Sequence, residues 1–128
     1  MAIQSLQSPK RRVLAVPATG NTPLLVSVSI MGRYMEVTEC PPQNFDNNLN
    51  PYNPQGILYQ LADENYATTY ALLPGSTLSF GDRNFPRDRA LGVPQRTDPA
   101  GNTIAATPVV KLISATATAS QVEVDEWP

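Results

Sequence analysis

The chain has 128 residues, with no histidine and a single cysteine, Cys40. Without histidine, one chain cannot assemble a Ser-His-Asp or Cys-His nucleophile. One cysteine cannot furnish a zinc site either. No glycine loop has the spacing that cradles phosphate, and no dinucleotide fingerprint occurs. The acids fall in turns or at strand ends: Asp63 and Glu64, Asp82 and Asp88, Asp125 and Glu126. Sugar hydrolysis needs two such groups on facing walls of a cleft. The run Asp46-Asn47-Asn48-Leu49-Asn50 offers oxygen ligands at close range. It lacks the spacing of a calcium loop, and Asn and Asp also cluster in turns because they cap their own backbone. The chain is therefore read as a non-enzyme with no metal and no cofactor.

What remains is chemistry for contact. Lys10, Arg11 and Arg12 form a basic cluster near the start. Arg83, Arg87, Arg89 and Arg96 crowd one segment, interleaved with Asp82, Asp88 and Asp98. A nucleic-acid surface would be more purely basic, and the formal net charge is only −2; mixed charge on a loop suits ion pairing across a protein interface. Phe45, Tyr52 and Phe85 add aromatic surface in the same long connections. Tyrosines at strand ends and in loops serve protein interfaces and sugar-binding platforms alike.

The elements that position these residues follow from composition and period. There are 13 prolines, about twice average usage. Each breaks a helix interior and is barred from a central strand position. Charged residues make up only 16% of the chain, against roughly 25% on average. Leu24, Val26, Val28 and Ile30 fall on one face, with Ser27 and Ser29 on the other, the period of a half-buried strand. Gly32 then permits a turn, and Tyr34 to Cys40 follows with Met35 and Val37 inward, so the two segments read as a hairpin. Ile57 to Leu61, Tyr66 to Leu73, Thr77 to Phe80, Val109 to Ile113 and Gln121 to Trp127 read as further strands, with Pro74-Gly75 a sharp turn. Val13 to Val16 makes about eight.

The expected fold is all-β, a two-sheet sandwich of jelly-roll kind. Residues 1–12 would be an N-terminal arm and 13–128 one domain, with two long Pro-rich loops, 41–56 and 81–108. Loops of that length commonly bind something. No signal-peptide pattern opens the chain, and no apolar run approaches the roughly 20 residues of a membrane helix.

The segment Tyr70-Ala71-Leu72-Leu73-Pro74-Gly75-Ser76-Thr77-Leu78-Ser79-Phe80 resembles a strand–Pro-Gly–strand unit recurrent in small virion accessory proteins of tailed bacteriophages. The ending is similar to theirs as well: Val110 to Ala115, then Val122 to Trp127, where a final hairpin closes the domain. The likeness covers residues 57–80 and 109–127; the 81–108 insertion and the proline-rich 41–56 loop depart from it. It implies a capsid decoration (cement) protein, made in the host cytoplasm and carried in the virion. The implied partners are the major capsid protein or other virion proteins, bound by many symmetric copies. The interface set would be Lys10, Arg11, Arg12, Phe45, Tyr52, Arg83, Phe85, Arg87, Arg89 and Arg96. The alternative is a carbohydrate- or receptor-binding module of a phage tail, with Tyr52 as a stacking platform.

Overall fold

A computed structural model describes residues 8–39, 48, 50, 54–81 and 91–128. These residues are all-β apart from one short 3-10 turn, Ala62–Glu64. The strands are β1 Lys10–Val16, β2 Leu24–Ser27, β3 Tyr34–Thr38, β4 Ile57–Leu61, β5 Tyr70–Leu72, β6 Thr77–Gly81, β7 Arg96–Thr97, β8 Thr103–Ile104, β9 Pro108–Ser114 and β10 Ser120–Trp127. Proline punctuates them as its chemistry requires: Pro9 and Pro17 bracket β1, Pro23 precedes β2, and Pro108 takes the first position of β9. No helix among the described residues is long and apolar enough to cross a membrane.

Two four-stranded antiparallel sheets carry the fold, in the order β1-β10-β3-β6 (sheet 1) and β2-β9-β4-β5 (sheet 2). Val16, Met35, Val37, Leu78, Phe80, Val122 and Val124 from sheet 1 meet Val26, Ile57, Leu61, Leu72, Val110 and Leu112 from sheet 2 in one buried cluster. The result is a sandwich-like core. Each buried side chain of this size contributes roughly 1.5–3 kcal/mol relative to exposure.

The pairings are nested. β1 pairs with β10, β2 with β9, β3 with β6 and β4 with β5. Two further ladders, β10 to β3 and β4 to β9, join these hairpin-like pairs into sheets.

The hairpin expected between Leu24–Ile30 and Tyr34–Cys40 does not form, because β2 lies in sheet 2 and β3 in sheet 1. A register irregularity between Val26 and Ser27 marks the last pair of the β2 ladder, Ser27 with Pro108. The connection then crosses the end of the sandwich, where the Arg33 amide donates to the Trp127 carbonyl at 3.0 Å. A Cβ on Gly32 would collide with that same carbonyl. The Pro74-Gly75 turn also bridges the sheets instead of closing a hairpin, and β9 and β10 again lie in different sheets. Of the sequence-adjacent strand pairs in the two large sheets, β4 with β5 is the one that hydrogen-bonds directly.

Three boundaries differ from expectation. β1 starts at Lys10, so Lys10, Arg11 and Arg12 belong to a strand and not to an arm. The strand expected over Tyr66–Leu73 shrinks to Tyr70–Leu72, because Asn65 and Tyr66 both take left-handed backbone (φ 54° and 58°). The segment 81–108 carries a two-stranded ribbon, β7 with β8. Its tip is held by Asp98, whose Oδ1 accepts from the Ala100 and Asn102 amides at 3.0 and 2.8 Å. The β3–β4 connection falls mostly outside the described residues.

Candidate interaction surfaces

The basic cluster at the start of the chain is engaged inside the molecule. Along β1, Arg12, Leu14 and Val16 alternate toward the core, while Arg11, Val13 and Ala15 face out. Arg12 therefore enters the end of the sandwich. There it meets Glu126, whose side chain is only 2% exposed and lies on the inward face of β10 with Val122 and Val124. The Arg12 guanidinium donates to Glu126, to the Ser29 hydroxyl at 2.9 Å and to the Ser27 carbonyl at 2.8 Å. Glu126 also accepts from the Ser29 amide (2.8 Å) and hydroxyl (2.6 Å). A carboxylate buried this deeply needs such partners. The cluster pins the exit of β2 to the edge of sheet 1.

Arg11 lies on the outer face, with Nε 2.9 Å from both Asp125 and Glu123. The hydrogen bond to Asp125, then the charges of Asp125 and Glu123, raise its already high pKa further. Lys10 and Arg96 are exposed, Lys10 at the opening of β1 and Arg96 on the ribbon. Phe45, Tyr52, Arg83, Phe85, Arg87 and Arg89 lie outside the described residues. Asp98, read as part of a mixed-charge patch, caps its own turn instead.

The outer face of sheet 1 is acidic. Glu36 sits directly across from Asp125, and Glu123 across from Thr38. Asp125 and Glu123 share the one guanidinium of Arg11, while Glu36, on the far side of β10, accepts from the Tyr34 hydroxyl at 2.9 Å. Like charges directly opposite each other are unfavourable in a sheet. Val13, 52% exposed, lies across from Glu123, and Trp127 packs on Tyr34 with ring centroids 5.3 Å apart.

The outer face of sheet 2 has the opposite character. Leu25, Leu58, Ile113 and Lys111 share it, with Leu25 and Gln60 flanking Lys111 and Leu58 paired to Ile113. A groove of about 170 Å³ runs between Pro23, Leu58, Gln60, Thr69, Lys111 and Ile113. Lys111 Nζ rests 4.4 Å from the centre of the Tyr66 ring. Positive φ at a residue as bulky as tyrosine is unusual, and here it accompanies a backbone bond from the Tyr66 amide to the Leu61 carbonyl at 2.9 Å.

Lys111 is not among the interface residues expected from sequence, and Tyr66 enters there only as a strand-end tyrosine. A signal was present: Leu24-Leu25, Ile57-Leu58 and Leu112-Ile113 are adjacent apolar pairs in short strands. In an antiparallel sandwich with one wet face, such pairs mean that the second face is apolar too. Tyr59 and Tyr70 are held within the chain. Tyr59 stacks on Tyr70 at 5.2 Å, and Tyr70 donates its hydroxyl to Glu64 at 2.9 Å. That hydrogen bond, then desolvation, raises the Tyr70 pKa above the usual phenol value.

No family model, curated protein or solved structure matches this chain.

Proposed function

We propose that this chain is a structural virion protein, a decoration or cement component that binds the capsid shell of a tailed phage in many copies. The supporting observation is the strand order. With the β7–β8 ribbon set aside, the eight strands run 1-8-3-6 in one sheet and 2-7-4-5 in the other. That is the order produced when one long hairpin is wound around a core, the double Greek key of a jelly roll. The fold is stiff and hosts many functions, capsid subunits and lectins among them, so the order supports a binding scaffold and leaves the partner to be argued from surfaces.

Those surfaces favour protein contact over catalysis. The exposed ribbon carrying Arg96, with the sequence's long connections over 41–56 and 81–108, is the part read as contacting shell subunits. Modest contacts repeated at symmetric sites sum through avidity. The reading of the chain as a tail module that stacks sugars draws no support from Tyr34, Tyr59 or Tyr70, which pack against neighbours within the chain.

The test is co-sedimentation of the purified chain with emptied heads of the parent phage. Saturable binding with a fixed ratio to the major capsid protein, and a higher melting temperature of the decorated heads, is expected. Heads that pellet without the chain at concentrations near 0.1 mM would reject the reading.

A further inference from the structure

The two outer faces of the sandwich complement each other, and we propose that neighbouring copies of this chain contact one another face to back. Sheet 2 of one copy seats on sheet 1 of the next. Lys111 is a cation in the middle of an apolar face, held by the Tyr66 ring and paired with no carboxylate among the described residues. Sheet 1 presents the converse, with Glu123 and Asp125 sharing the Arg11 guanidinium and Glu36 directly across from Asp125 with no cation paired to it among the described residues. Glu36 and Glu123 are diagonal neighbours on adjacent strands, roughly 7–8 Å apart, so one ammonium can serve both. The apolar parts correspond as well: Leu25, Leu58 and Ile113 on one side, Val13 and the Trp127–Tyr34 pair on the other.

Two different faces are used, so the contact is heterologous and repeats into a ring or an open row. Its strength follows from its size. Four strands at about 4.8 Å spacing give a face about 19 Å wide. The area covered is then roughly 400 Å² per copy, half of what a stable dimer buries. The contact is accordingly weak in dilute solution, with a dissociation constant on the order of 0.1 mM. It becomes effective where a shell holds copies side by side. The inference extends the multi-copy reading above, but its test needs no particles, so the two fail separately.

Sedimentation velocity of the chain alone, from about 0.01 to 1 mM, reads the proposal directly. The wild-type average mass should rise with concentration and pass that of a dimer. Lys111→Glu and Glu36→Lys should each weaken association tenfold or more. An equimolar mixture of the two variants should associate again and pass the dimer, because both contacts between unlike copies are complementary, one native and one with its charges exchanged. Both substituted residues are on outer faces, and circular dichroism checks that the variants fold. A wild type that stays monomeric overturns the proposal. So does association that ignores both variants, as edge-to-edge pairing of β1 would, or a mixture that shows no rescue.

Discussion

At the scale of single residues, Arg12 and Glu126 matter most for stability. Arg12→Leu leaves the Glu126 carboxylate, buried at one end of the core, without its counter-charge. The cost expected in urea unfolding is about 3 kcal/mol. The double variant Arg12→Leu/Glu126→Leu should recover part of that loss, because no charge is then left buried alone. Equal losses in the single and double variants would mean that the ion pair is not what the site requires. Tyr70 gives a pH-dependent counterpart. Its pKa is raised on folding, chiefly by the hydrogen bond to Glu64. The stability it contributes is present below the phenol's ordinary value near 10 and is lost as pH climbs through the higher folded value. Melting temperatures measured between about pH 8 and 11 should fall less steeply for Tyr70→Phe than for the wild type.

At the scale of elements, position in the sheet sets the cost of substitution. Phe80→Ala removes a ring that is 1% exposed at the centre of the shared core, and about 4 kcal/mol of stability should go with it. Leu25→Ala, at a side chain 50% exposed on an outer face, should change stability by less than about 0.5 kcal/mol. Chemical denaturation of both variants gives the comparison. β1 makes a second contrast. Cutting residues 1–9 stops before the strand, whereas cutting 1–12 removes Arg12 and three of the seven residues of β1. The shorter truncation should keep the wild-type melting temperature and the longer one should lower it. That expectation replaces the view of 1–12 as a detachable arm.

The same elements explain what the sequence could reveal. Leu24 to Ile30, Met35 with Val37, Ile57 to Leu61 and Leu78 with Phe80 announce themselves by period, because alternation is local. Their pairing is not local. β1 meets β10 and β2 meets β9 across more than 80 residues, and no turn residue encodes that choice. Gly32 and Pro74-Gly75 look like hairpin turns because they do reverse the chain, but the reversal passes from one sheet to the other. The inward arginine was hidden for a similar reason. Lys10-Arg11-Arg12 reads as a solvated run until Glu126, at the other end of the chain, is brought beside it. The apolar back of sheet 2 was visible in the doubled apolar pairs, but only a sheet order turns those pairs into a surface.

At the scale of the molecule, a two-layer body presents two unlike outer faces and, among its described residues, the β7–β8 ribbon outside both large sheets. The ribbon is proposed to meet the shell and the faces to meet sister copies. Hydrogen exchange on the chain, free and bound to emptied heads, separates these parts in one measurement. β3, β4, β9 and β10, each paired on both sides, should be the slowest strands in either state and should change little on binding. Amides of the 91–107 segment, including β7 and β8, should slow markedly when heads are added. Unchanged exchange in that segment on saturated heads, or protection confined to the core strands, would contradict a shell-binding scaffold.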